Sequence, residues 1–112
     1  MREPVAESAL QIRRLLRELL RRWDLPEDVA DDADLITNEL VTNAIVHART
    51  RFHVFVELQG PLLRIAVVDS CTRPPGGRAH RGRGLRAVTH TALRWGWRES
   101  DTGKTVWAEV FV

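Results

Sequence analysis

Cysteine is almost missing from this chain: Cys71 is the only one in 112 residues. A single thiol excludes an internal disulfide and argues against a zinc site built on cysteines. No residue near Cys71 supplies an activating partner, so it does not read as a nucleophile. Long apolar runs are also missing, and nothing approaches the roughly 18 consecutive apolar residues of a membrane span. The N-terminus, MREPVAESALQIRRLLRELL, interleaves charge with apolar residues where a secretory leader would be continuously apolar. A cytoplasmic protein with no membrane role is expected. Charge of one sign is scarce as well: 17 Lys and Arg against 15 Asp and Glu leave a net +2. The pI of about 9.5 reflects the many arginines rather than a strong positive field, so nucleic acid is not an expected partner. No internal repeat, low-complexity tract or linker interrupts the chain. With 44% apolar and 29% charged residues, the composition is that of one ordinary globular domain spanning 1–112.

Against that background one stretch stands out, DLITNELVTNAIVHA from Asp34 to Ala48. Glu39, Asn43 and His47 recur every four residues, and at about 100° per residue they fall within roughly 80° of one another on a helix. Leu40, Val41, Ala44, Ile45 and Ala48 fill the adjoining and opposite arc. A carboxylate, a carboxamide and an imidazole beside a core-facing surface cost desolvation energy unless a ligand or water satisfies them. The stripe therefore reads as lining a site, although His47 on its own reads better as a satisfied, partly buried histidine.

Taken in order, residues from Ala6 to Trp23 place Ala9, Ile12, Leu16, Leu19 and Trp23 at steps of three and four, the pattern of an amphipathic helix. Its arginines, Arg13, Arg14, Arg17, Arg21 and Arg22, read as a solvated face or as a surface docking an acidic partner. Asp24-Leu25-Pro26-Glu27-Asp28 stops that helix and starts another near Leu25 or Pro26, which is expected to run to about Ala48. FHVFVEL and LLRIAVVD alternate and flank the turn Gln59-Gly60-Pro61, which predicts an antiparallel hairpin. Asp69 closes the apolar face made by Leu63, Ile65 and Val67, as a strand cap or as a ligand-facing acid. Ser70 to Gly84 is a long Gly, Pro and Arg segment of the kind used for binding. It ends in Gly82-Arg83-Gly84-Leu85, a turn feeding a helix over LRAVTHTAL. Such a turn can present backbone N–H groups to phosphate, and it also precedes many helices that bind nothing. Two further strands, beginning at Arg94 and at Lys104, complete a small sheet with helices on one face. Trp23, Trp95, Trp97 and Trp107 read as core and edge packing rather than base-stacking platforms.

The order of a helix carrying Glu39 and Asn43, a strand ending at Asp69, a loop and a GxG turn into a helix resembles the GHKL, or Bergerat-type, ATP-binding fold. Gyrase-type topoisomerases, histidine kinases and related ATPases share it. The likeness is strongest to small bacterial anti-sigma factor serine/threonine kinases and to short ATP-binding regulators of actinobacteria. ELVTNAIVHA looks like that family's N box, VVDSCTRPP like a degenerate first glycine box, GRGL like the second, and GKTVWAEV like the closing strand. The resemblance implies an α/β two-layer sandwich of the α+β class, a mainly antiparallel sheet with about three helices on one face. It implies ATP and Mg2+ as cofactors, with Asn43 as the metal ligand and Glu39 as the catalytic base. It further implies that Asp69 accepts the adenine amino group, that Gly82, Gly84 and Leu85 hold phosphate, and that Thr105 lies near the adenine. The implied activity is transfer of the ATP γ-phosphoryl to a serine or threonine of an anti-sigma antagonist, together with sequestration of a sigma factor. The alternative is a partner-binding regulator without catalysis, its nucleotide site decayed. Two departures accompany the likeness. The fuller first box reads DxGxG, whereas Asp69-Ser70-Cys71-Thr72-Arg73 lacks both glycines, so the turn beside the adenine differs. The chain also opens at its first helix, so an edge strand is expected to be missing, which suits a homodimer or a partner complex.

Overall fold

The computed structural model describes residues 6–45, 52–70 and 85–112. The elements run α1 (Ala6–Arg22), α2 (Glu27–Asn43), β1 (Phe52–Gln59), β2 (Leu62–Asp69), α3 (Arg86–Thr91), β3 (Arg94–Ser100) and β4 (Gly103–Phe111). The strands form one antiparallel sheet in the order β1-β2-β4-β3. The α+β two-layer architecture expected from the sequence is therefore the one observed.

Period-two alternation decides which side of the sheet each residue takes. Leu63, Ile65 and Val67 of β2 sit opposite Val110, Ala108 and Val106 of β4, and Val54 and Val56 of β1 join the same face. Those residues, with Phe52, form the sheet side of the core. The helical side comes from Val29, Ala30, Ala33, Ile36, Leu40, Val41 and Ala44 on and just past α2, Leu16 and Leu20 on α1, and Val88 on α3. Leu20, 1% exposed, belongs to the α1 stripe although the simplest reading of its spacing passes over it.

The junction between α1 and α2 follows from local chemistry. Asp24 takes φ 56°, in the left-handed region that a short polar side chain tolerates. Its N–H bonds the Arg21 carbonyl at 2.9 Å, and the Leu25 N–H bonds the Leu20 carbonyl at 3.1 Å, which is the Schellman arrangement. Pro26 then caps α2 from outside, one residue later than expected, and Glu27 and Asp28 place negative charge at the positive end of the helix dipole. Arg13 and Arg17 are neither simply solvated nor kept for an outside partner. Arg13 grips Asp34 through Nε–Oδ1 at 3.0 Å and Nη2–Oδ2 at 2.9 Å, and Arg17 reaches Asp31 and Asp34 at 3.2 and 3.3 Å.

Two expected ends differ. The helix predicted over LRAVTHTAL is shorter, because Ala92 is already extended and the Leu93 N–H donates to the Glu109 carbonyl at 2.8 Å. Sheet pairing has taken the residues that helical spacing alone assigns to the helix. At the other site-bearing helix, regular α geometry ends at Asn43 and passes into a π turn at 44–45. The remainder of the expected helix, including His47 and Ala48, lies outside the described residues.

Candidate functional site

The last turn of α2, the end of β2 and the start of β4 bring polar side chains to the helix side of the sheet. Asn43 is 4% exposed although it is polar, and it sits where α2 loosens into its π turn. Turns of that kind recur at functional positions because they redirect a side chain out of the regular ladder. Glu39, one turn earlier, is half-buried, and burial pushes its carboxyl above the ordinary glutamate value. A carboxylate displaced in that direction is better suited to taking a proton near neutral pH than an exposed one.

Asp69 is the last residue of β2, 5% exposed, and shares the inner face with Leu63, Ile65 and Val67. Directly across the ladder lies Lys104, whose Nζ is 3.2 Å from Oδ1 and 3.1 Å from Oδ2 of Asp69. The two side chains are 2% and 1% exposed. A buried carboxylate thus has a buried ammonium as partner, the arrangement that burial of either charge demands. Gly103 allows the approach: a Cβ there would lie 1.9 Å from the Asp69 carbonyl oxygen, so only glycine lets β4 close on the end of β2.

Thr105 is not brought to this group. It pairs with Val68, and alternation puts both on the outer face, away from Asp69. Its neighbour Lys104, one residue earlier, is the residue of β4 that faces Asp69 on the inner side. The sequence held the signal, since Lys104 precedes Val106, Ala108 and Val110 at steps of two. Leu85 is 4% exposed and immediately precedes α3 at φ −106° and ψ 7°, and among the described residues no side chain caps that helix. Gly82 and Gly84 lie outside the described residues, as does Cys71.

The donor set can be compared with the groups implied above. Among the described residues no cluster of three or more His, Cys, Asp or Glu exists that could cage a metal. Magnesium does not require one, because it keeps waters and phosphate oxygens and takes one or two protein oxygens. The carboxamide of Asn43 is a hard oxygen donor of the right type. An adenine amino group is a donor that Asp69 can accept, in company with the Lys104 ammonium. These residue types fit a magnesium nucleotide, with the Lys104 ammonium as an additional charge beside Asp69.

Comparison with known proteins agrees with this arrangement. A family model described as "Histidine kinase-like ATPase domain" matches residues 3–110. No curated protein sequence matches the chain. Among solved structures, it is similar to the RsbU and RsbW domains of Rv1364c from Mycobacterium tuberculosis, with a TM-score of 0.78 at 19% identity. That likeness covers 97% of this chain and 30% of the other, so this chain spans under a third of the length of that relative. At this identity the likeness concerns the fold.

Proposed function

The chain belongs to the histidine kinase-like ATPase domain family, and from that premise we propose that it is a magnesium-ATP-dependent protein serine/threonine kinase acting on a partner in a sigma-factor control system. The observation that supports this most is the pair of buried polar side chains, Asn43 and Asp69, held at 4% and 5% exposure on the helix side of the sheet. A carboxamide and a carboxylate kept at the ends of two elements on that side are groups that a cation and a base amino group can use. Bound magnesium-ATP would supply the transferable γ-phosphoryl and the cation that neutralises its charge. Asn43 would hold the cation through its amide oxygen, and Asp69 would orient the base through its amino group. Leu85 and the N–H groups of the first turn of α3, with Gly82 and Gly84 before them, would hold phosphate oxygens. Glu39 would accept the proton of the attacking hydroxyl, which its raised proton affinity favours.

Calorimetric titration of magnesium-ATP and magnesium-ADP into the wild type and Asn43→Ala tests the site. Binding that is lost or weakened at least about tenfold in the variant is expected; no wild-type binding at millimolar nucleotide overturns the proposal. For the chemistry, phosphotransfer to an antagonist protein is expected to fall about 10²- to 10⁴-fold in Glu39→Ala while nucleotide binding persists. Equal labelling would remove Glu39 from the mechanism.

A second reading has its own observation. The Lys104 ammonium neutralises Asp69 inside the base pocket, which favours a regulator that captures its partner without turnover. It predicts partner binding that is independent of nucleotide. Among the described residues the outer edge of β1 has no strand beside it, which suits a second copy of the chain, and sedimentation distinguishes a 12.8 kDa monomer from a dimer of twice that mass.

A further inference from the structure

The helices pack on one face of the sheet, and among the described residues no element covers the other. An antiparallel sheet face that meets water is ordinarily polar. Here the registers place Phe55, Leu62, Ala66, Val68, Trp107 and Phe111 on it, with Phe55 52% and Phe111 62% exposed. The same registers lay the face out in rows that cross the whole sheet. One row is Phe55, Ala66, Trp107 and Gly96, and the next is Glu57, Arg64, Glu109 and Arg94. In the first, Phe55 stands at the β1 edge, Ala66 leaves a low point beside it, and the Trp107 indole lies over Gly96. The second alternates in sign from edge to edge and is neutral as a whole. Glu109 is bonded by Arg64 and Arg94, whereas Glu57 ends the row with no ion pair among the described residues.

A face laid out in this way is complementary to itself under one operation. A two-fold axis parallel to the strands reverses the strand order of a second copy and keeps each row opposite itself. Arg64 then faces Glu109 of the second copy and Glu57 faces its Arg94, each contact made reciprocally. In the apolar row Trp107 comes over Ala66, and Phe55 meets the indole that lies over Gly96. In the flanking rows Leu62 faces Phe111 and Val68 faces Thr105. His53 comes opposite Arg98 at a corner, where two twisted sheets diverge. A two-fold axis across the strands does the reverse, setting Phe55 on Glu57 and Trp107 on Glu109. Charge and size together select the first arrangement. Sheets stacked in that way lie about 10 Å apart with their strands within about 30° of one another.

We infer that this outer face is a homodimer interface, in which two copies of the chain stack sheet on sheet about a two-fold axis parallel to the strands. It is separate from the candidate nucleotide site, which lies on the helix side, and from the outer edge of β1. Sedimentation equilibrium of the full chain tests it for the wild type, Glu57→Arg, Arg94→Glu and an equimolar mixture of the two variants. Glu57 is exposed and makes no bond in the fold, so Glu57→Arg leaves the monomer intact. Glu109 keeps Arg64 when Arg94 is replaced, and circular dichroism checks that both variants are folded. The wild type is expected to dimerise with a Kd of about 1–100 µM, the range of a small interface. Each variant alone sets like charges opposite one another in both reciprocal contacts, and should dimerise at least about tenfold more weakly. In the mixture the introduced guanidinium of one variant meets the introduced carboxylate of the other, and native Arg94 meets native Glu57. Heterodimers should therefore form within about threefold of the wild-type affinity. The inference is overturned by a wild type that stays monomeric up to about 1 mM, or by a mixture that stays monomeric. Variants that dimerise as the wild type does also overturn it, and that is the outcome of pairing through the β1 edges.

Discussion

At the scale of single residues, the Asp69–Lys104 pair governs both stability and the character of the site. Removing one member of a buried pair strands the other charge, so Lys104→Met is expected to cost about 3–5 kcal/mol. The double variant Asp69→Asn, Lys104→Met should recover most of that loss, and urea unfolding of the single and double variants measures the difference. Glu39 carries the opposite kind of tension. Its folded-state affinity for a proton is raised by burial, so it contributes stability that is complete below the ordinary glutamate pKa and is lost as pH rises through the folded value. Glu39→Gln should therefore raise the melting temperature at pH 7, and the gain should vanish near pH 3. Thermal scans at the two pH values decide this. The buried and half-buried polar positions of the candidate site were legible at this scale: the four-residue spacing of Glu39 and Asn43 marked them, and the alternation of LLRIAVVD placed Asp69 on the buried face. The partner of Asp69 was not, because a cross-strand contact depends on register, which pairs Asp69 with Lys104.

At the scale of elements, β4 is positioned by a glycine. Gly103→Ala would bring a Cβ within 1.9 Å of the Asp69 carbonyl oxygen, a separation that no side-chain adjustment relieves because the obstacle is backbone. The strand must move, and a destabilisation of about 3 kcal/mol or more is expected, with Gly60→Ala as a comparison. Gly60 sits at φ 56° in open space, so its substitution costs backbone strain alone, about 1–2 kcal/mol. Chemical denaturation of both variants gives the ranking. On the outer face, a chain of contacts fixes β2, β4 and β3 together: Trp107 lies over Gly96, the Arg64 guanidinium stands 4.5 Å from the Trp107 ring, and Arg64 and Arg94 both bond Glu109. The strands and their hairpin were readable from alternation and from Gly60-Pro61. The true ends of α3 were not, because the Leu93 N–H is claimed by Glu109 of a strand encountered later in the chain.

At the scale of the whole molecule, two carboxylates, one in each layer, tie neighbouring elements together and set the response to acid. Hydrogen bonds from Arg13 hold Asp34 below the usual carboxylate range, joining α1 to α2. Hydrogen bonds from Arg94 and then Arg64 do the same for Glu109, joining the strands. Groups with depressed folded pKa values contribute stability that is present above the unfolded pKa and lost as pH falls through the folded one. Their contribution to the unfolding free energy should therefore be constant at neutral pH and fall below about pH 4. A Glu109→Gln variant should show a shallower acid decline, which circular dichroism across a pH series checks.

The inner face of β4 gives the core and the partner of Asp69 one continuous row of side chains, Lys104 followed by Val106, Ala108 and Val110. A residue removed from the turn before β4 would put Thr105 in the place of Lys104, and would also turn three core residues out to water. The group that faces Asp69 is consequently open to revision by a single codon and closed to revision by a change of turn length. Descendants with different chemistry beside Asp69 should carry a new side chain at position 104 after a turn of unchanged length.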